Sequence, residues 1–143
     1  MNSSLKKEYV RTWESLRKLT YRIRKGLEAQ YIPAGINVVE FRILDFLKSD
    51  DKSTLARLSR ELTVTREGVA LIVEGLESRG LVKRTVVQEE PKLIFISLTA
   101  SGKRVLAKAT RLQEKMIMSS IGQLSESDLK TLQLLIDRLY DKV

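Results

Sequence analysis

A change in hydrophobic period at Gly80 limits the possible folds of this chain more than any other feature of the sequence. Before Gly80, apolar side chains recur at the i, i+3, i+4 and i+7 spacing of a helix that is buried on one face. These side chains are Val69, Ile72, Val73 and Leu76. After Gly80, alternation with a period of two predicts a strand at 82–87, a turn at 88–92 and a returning strand at 93–98. The sequence therefore predicts a helix that leads directly into a β-hairpin.

A shorter helix precedes this unit at close range. Its apolar positions are Leu55, Leu58 and Leu62. Ser53 is its predicted N-cap, and only Thr63 and Val64 separate it from Thr65, the predicted N-cap of the following helix. Two helices joined by so short a turn and followed by a hairpin predict a winged helix-turn-helix.

Further amphipathic segments lie on both sides of the two helices and the hairpin, and the module that we predict, at residues 36–99, includes the helix before them. Residues 4–27 predict a long helix, and Asn37 with Glu40 predicts a capping box at the start of the next one. After the hairpin, Thr99 is the predicted cap of a helix at 100–121, and Ser125 that of a last helix. The apolar positions of the last helix are Leu129, Leu132, Leu135, Ile136 and Leu139. The fold class is therefore mainly α with a small β-hairpin wing (α+β), in a single domain spanning 1–143.

Composition excludes most catalytic chemistry. The chain has no Cys and no His, so it lacks thiolate nucleophiles, imidazole bases and zinc sites built from these residues. We expect a protein that is not an enzyme and that needs no cofactor or metal. No stretch approaches the roughly 18 apolar residues of a membrane span, and the N-terminus lacks a signal-peptide pattern, so the expected location is cytoplasmic.

The net charge of +8 favours a polyanionic partner, with nucleic acid before membrane. The excess lies at two places: residues 1–30 carry +5 and residues 100–124 carry +4. Residues 53–99, which make up most of the predicted module, are close to neutral, at +1. Basic stripes account for this excess: Lys7, Arg11, Lys18, Arg22 and Lys25 in the first helix, and Arg104, Lys108, Arg111 and Lys115 in the penultimate one. They are interpreted as solvated flanks of dimer helices, as sequence-independent attraction to DNA, or as a site for an anionic ligand.

Three stretches resemble one known family. Residues 55–65 resemble the helix-turn-helix opening of MarR/SlyA-type regulators, and residues 69–82 are similar to the recognition helix of that family and its exit into the wing. Residues 96–102 match the pattern I-x-L-T-x-x-G with which the family closes its wing. The resemblance covers essentially the whole chain and is most specific over 76–102.

The resemblance implies a homodimeric, DNA-binding transcriptional regulator. Residues 1–35 and 100–143 would be the dimerisation helices, and the recognition helix at about 65–79 would enter the major groove of a pseudo-palindromic operator. The wing at 88–92 would reach the minor groove. Many members are repressors that are released by small aromatic or phenolic anions.

The residues predicted to contact double-stranded DNA are Ser53, Thr65, Arg66, Glu67, Leu71, Arg84 and Lys92. Thr65 and Arg84 are suited to phosphate, and Lys92 stands where the family has the minor-groove arginine. Arg66 can reach a guanine edge, Glu67 a cytosine amino group and Leu71 a thymine methyl group.

Two departures from the family leave an alternative open. Leu71 replaces a common arginine, and Glu90-Pro91-Lys92 replaces Asp-Arg-Arg at the wing. Together with the near-neutral module, these changes also fit a winged-helix protein-interaction scaffold with weak or nonspecific DNA binding.

A ligand site is predicted from aromatic residues that surround a guanidinium. Trp13, Arg17 and Tyr21 recur every four residues, and Phe41 and Phe46 could close the site around a small aromatic anion. The same spacing also fits an aromatic stripe in a dimer core.

Overall fold

The computed structural model describes residues 2–50, 52–87 and 92–143. The helices are, in chain order, α1 (Ser3–Gln30), α2 (Val38–Ser49), α3 (Leu55–Leu62), α4 (Arg66–Ser78), α5 (Ala100–Ser119) and α6 (Glu126–Tyr140). The strands are β1 (Val82–Val87) and β2 (Leu93–Leu98), and single 3₁₀ turns lie at Ile32–Ala34 and Ile121–Gln123. This order confirms the predicted mainly-α fold with one hairpin.

The chain forms two compact units, Met1–Ala109 and Thr110–Val143. The buried core lies in the first unit, where α2, α3, α4 and the hairpin surround side chains such as Ile43, Leu44, Leu58, Val69 and Val73. The predicted core face of α4 is confirmed, because Val69, Val73 and Leu76 are fully buried and Ile72 is partly buried.

Most predicted helix caps are confirmed. Asn37 and Glu40 form a complete capping box, in which each side chain accepts a hydrogen bond from the backbone N–H of the other. The hydroxyls of Thr65, Thr99 and Ser125 accept from the N–H three residues further on, at 3.0–3.1 Å. These caps satisfy N–H groups that have no partner within the helix, and they fix where α2, α4, α5 and α6 begin.

The prediction that Ser53 caps α3 is wrong. The N-cap of α3 is Thr54, whose hydroxyl accepts from Arg57 N at 3.2 Å, whereas Ser53 is fully buried. Its backbone extends the hairpin by pairing with Ile96, through N–H···O bonds of 3.3 and 2.7 Å. The predicted DNA contact of Ser53 was therefore wrong, because a side chain that is enclosed beside the sheet cannot reach phosphate.

The turn between α3 and α4 contains a strained residue. Thr63 has φ 55°, in the left-handed region that disfavours side chains branched at Cβ. It is the C-cap of α3, and its N–H donates to the carbonyl of Arg60. The short turn needs this conformation, so the chain holds a threonine where glycine would be unstrained.

Thr63→Gly is expected to raise the free energy of unfolding by about 1 kcal/mol, since relief of the left-handed strain exceeds the extra entropy of glycine in the unfolded chain. Urea titration at fixed protein concentration measures the change. Thr85→Gly, in the exposed part of β1, is the control, and it should lower stability because Thr85 lies in an ordinary strand. A loss of stability in both variants would contradict the assignment of strain to Thr63.

Candidate nucleic-acid interface

The helix-turn-helix is formed by α3, a turn at residues 63–65 and α4. The Ser59 hydroxyl donates to the carbonyl of Val64, and Val64 N donates to the carbonyl of Ser59, which ties the turn back to α3. Thr65 then caps α4 and is itself exposed. The N-terminus of α4 therefore carries an accessible hydroxyl and the positive end of the helix dipole, both of which suit a phosphate.

The outward face of α4 presents the predicted base-reading residues. Arg66, Glu67 and Leu71 are all exposed, and Leu71 keeps 70% of its accessible surface. Glu74 lies on the same face, because it is three residues beyond Leu71 and is also exposed. The face combines one guanidinium, two carboxylates and one apolar side chain.

Arg84 on β1 is held by α4. Its Nε lies 3.2 Å from a carboxylate oxygen of Glu77, and both side chains are partly exposed. The ion pair joins the last turn of α4 to the first strand of the hairpin, so Arg84 is positioned beside α4 and is partly neutralised.

The predicted wing lies mostly outside the described residues. Of the turn at 88–92, the structure describes Lys92, which is exposed immediately before β2. Glu90 and Pro91 lie outside the described residues, and the minor-groove contact of Lys92 stays a prediction. The strands that carry the turn pair in antiparallel register from Val82↔Leu98 to Val87↔Leu93.

Arg79 is a positioning residue that sequence reasoning did not single out. Its guanidinium donates to the carboxylate of Glu40 and to the carbonyl of Gly35. The end of α4 is thereby connected to the capping box that begins α2. No short-range spacing signals this contact, because the partners stand 39 and 44 residues away along the chain.

The predicted ligand residues are only partly brought together. Trp13, Arg17 and Tyr21 line a surface hollow of about 510 Å³ on α1, together with Leu16, Thr20 and Arg24. Arg17 forms an ion pair with Glu14 at 2.8 Å, so an anion in this hollow would compete with a carboxylate.

Phe41 and Phe46 do not line this hollow, and that part of the prediction was wrong. Phe41 is buried and stacks on Tyr31, with ring centroids 4.6 Å apart. Phe46 packs against the core and is covered by Arg57, whose guanidinium lies 5.6 Å from the ring centroid. Burial, followed by the negative charge of Asp45, raises the pKa of the Tyr31 phenol above its usual value. The two phenylalanines serve the packing of α2.

The described residues offer no candidate for a metal site or a membrane-spanning helix. Among them, no group of three or more Asp, Glu, His or Cys side chains is placed to hold a metal ion. None of the helices in the described part of the chain is long and apolar enough to cross a membrane.

Several solved structures are similar to this chain in fold. FabT of Streptococcus pneumoniae, solved in complex with DNA, superposes with a TM-score of 0.81 at 21% sequence identity, covering 93% of this chain and 95% of FabT. MarR of E. coli, in its apo form, gives a TM-score of 0.73 at 16% identity over 88% of this chain and 94% of MarR. S. aureus MepR, solved in a DNA complex, gives a TM-score of 0.74 at 19% identity, covering 89% of this chain and 92% of MepR.

The chain has the MarR-type winged-helix fold. In sequence it is similar to the HTH-type transcriptional regulator PapX of Escherichia coli, with 29% identity over 104 residues, which is 68% of this chain and 63% of PapX. The match therefore spans less than two thirds of the length of PapX. No family model matches the chain. The resemblance inferred from residues 55–102 is confirmed at the level of the fold.

Proposed function

We propose that this protein is a homodimeric transcriptional regulator that inserts α4 into the major groove of duplex DNA. The observation that carries the proposal is the geometry of α4, which follows a tight turn, buries one face and leaves Arg66, Glu67 and Leu71 exposed on the other. Two structures with the same fold, FabT and MepR, were solved with DNA. The relative PapX is an HTH-type transcriptional regulator, which agrees with the expectation that this chain is not an enzyme.

The charge distribution supports a polyanionic partner. Residues 1–30 hold eight Lys or Arg against three Asp or Glu, and residues 100–124 hold five against one. Cations outside the module attract phosphate without reading sequence, so they supplement a recognition face that is poor in arginine. Thr65 and Arg84 would position α4 against the phosphates, and Arg66 would reach base edges.

Exposed apolar side chains support the dimer. In the first unit none of the residues of α1 is buried. Eight of its large apolar residues are exposed: Leu5, Tyr9, Val10, Trp13, Leu16, Leu19, Tyr21 and Ile23. In the second unit α6 exposes Leu129, Leu132, Leu134, Leu135, Ile136, Leu139 and Tyr140. Groups of exposed large apolar side chains mark association surfaces in soluble proteins, so a second copy of the chain would bury them.

A two-fold dimer sets the form of the operator. Two copies of α4 would enter successive major grooves, so the operator would be an inverted repeat with half-sites about one helical turn apart. Bound at a promoter, such a dimer would act as a repressor. The turn at 88–92, with Lys92, would lie along the minor groove.

We further propose that a small aromatic anion releases the protein from DNA by binding in the hollow on α1. Trp13 and Tyr21 offer ring faces and Arg17 offers the cation, once the anion displaces Glu14. Benzoate is a suitable probe, and it should release the operator from the wild type but not from an Arg17→Ala variant.

The function is tested by selecting genomic fragments at about 100–150 mM salt and titrating the best fragment against a scrambled one. A dimer that makes ~6–10 phosphate contacts should lose about 10³–10⁵ in affinity between 50 and 200 mM salt. It should also enrich one inverted repeat. Equal affinity for every fragment would show that the protein binds DNA without sequence specificity.

The acidic residues on α4 support a second candidate function. Glu67 and Glu74 are exposed where phosphate contact would be repelled, and this fits a winged-helix scaffold that docks onto a protein. Absence of binding to any fragment would favour the scaffold over the regulator.

A further inference from the structure

Leu71 is the most exposed apolar side chain of the recognition helix. It keeps 70% of its accessible surface, whereas Val69, Val73 and Leu76 on the opposite side of α4 are fully buried. A single exposed leucine is common on protein surfaces. Here, however, it stands at the centre of the one helix face that the proposed function places against base edges.

Two carboxylates flank Leu71 on this face. Glu67 lies one turn before it and Glu74 about one turn after it, and both are exposed. Arg66 is the one basic residue in the sequence of α4, and Arg79 just beyond the helix is held by Glu40 and Gly35. A carboxylate is repelled by the phosphate chains, so the lowest-energy docking keeps Glu67 and Glu74 near the middle of the groove.

In the middle of the major groove, the chemistry of this face matches few base edges. Carboxylates only accept hydrogen bonds, so they pair with the amino groups of cytosine and adenine. A leucine can only make apolar contact, and the apolar group on a major-groove edge is the C5-methyl of a pyrimidine.

Resting on the proposed function, we infer that α4 reads a pyrimidine C5-methyl group through Leu71, while Glu67 accepts a hydrogen bond from the amino group of a neighbouring base. Thymine carries this methyl group, and so does 5-methylcytosine. Both sources present the same chemistry to Leu71, and the duplex can be synthesised with either.

The expected effect follows from the area that one methyl group buries. Burial of a methyl or methylene group changes affinity roughly fourfold, since it is worth about 0.8 kcal/mol. A symmetric dimer would make the contact in both half-sites, so removal of both methyl groups should weaken binding roughly 15-fold.

The test uses the full-length protein and the selected operator. In the first arm each thymine is replaced by deoxyuridine together with its symmetry mate in the other half-site, which deletes only the two methyl groups. In the second arm each cytosine is replaced by 5-methylcytosine, which adds one. Dissociation constants are measured for the wild type, for Leu71→Ala and for Leu71→Met, which retains an apolar side chain. Ile32→Ala is the matched control, because Ile32 is 71% exposed and lies outside the helix-turn-helix.

Each outcome decides the inference. A loss at one thymine position that disappears in Leu71→Ala and persists in Leu71→Met and Ile32→Ala supports thymine as the source. A gain with 5-methylcytosine that depends on Leu71 in the same way supports methylated cytosine. The inference is overturned if specific binding is unaffected by both replacements, or if the loss of affinity is the same in Leu71→Ala as in the wild type. Either result leaves the proposed function as a regulator standing. If the wild type binds no fragment specifically, the proposed function fails and the inference fails with it.

Discussion

Gly102→Ala is expected to lower the free energy of unfolding by at least about 2 kcal/mol, because an added methyl group would overlap backbone. A Cβ at this position would lie 2.0 Å from the carbonyl oxygen of Leu81 and 3.3 Å from a methyl carbon of Leu98. The Leu81 oxygen cannot easily move, since it accepts a hydrogen bond from Thr99 N at 3.1 Å. The clash lies where α5 begins against the base of the wing, so the wing should be disturbed as well.

Gly75→Ala is the matched control for Gly102→Ala. Both glycines are helical, and alanine is favoured over glycine in a helix by about 1 kcal/mol. A Cβ on Gly75 would meet no atom within 4 Å, so this variant should be slightly stabilised while Gly102→Ala is destabilised. Urea unfolding at equal protein concentration measures both. Equal stabilisation of the two variants would show that α5 does not pack closely on Leu81.

Leu135→Asp is expected to weaken the proposed dimer by at least about 10⁴-fold, since each of the two copies would bury an unpaired carboxylate that costs about 3 kcal/mol or more. Leu135 lies within the apolar face of α6 and is 48% exposed in the single chain. Substitution there should therefore cost the isolated chain little. The dissociation constant is measured by sedimentation across a range of protein concentrations.

Gln133→Asp is the control for Leu135→Asp. It adds the same charge on the opposite side of α6, where Gln133 is exposed and bonds to Asp137 at 2.9 Å. We expect this variant to remain a dimer with slightly lower helix stability, since it places two carboxylates four residues apart. A Leu135→Asp protein that sediments as an intact dimer would exclude α6 from the subunit interface.

Much of the architecture could be predicted because its signals are local. The capping box of Asn37 and Glu40 involves residues three apart, and the burial of Val69, Val73 and Leu76 repeats at helical spacing. The change of period at Gly80 marks the start of the hairpin within a few residues. Hydrogen bonding and side-chain periodicity decide these features over one or two turns of the chain, so the sequence alone is enough to locate them.

The candidate site was predicted less completely. The positions of Thr65, Arg66, Glu67 and Leu71 follow from the helical period once the core face is known. Ser53 was misplaced because the sequence contains two adjacent hydroxyl residues, either of which could cap α3. Only the bridge to Ile96 in the folded chain decides between them, and it encloses Ser53.

The amino-acid sequence was sufficient to predict the order of elements, most of the helix caps, the buried face of α4 and the absence of Cys and His chemistry. The tertiary structure decided which polar groups meet across the chain: Arg79 with Glu40, Arg84 with Glu77, and Phe41 with Tyr31 instead of a ligand. The physical reason is the distance along the chain between the residues that interact. Caps and periods depend on neighbours within a few residues, whereas an ion pair or a ring stack forms only after packing has brought distant segments to within a few ångströms.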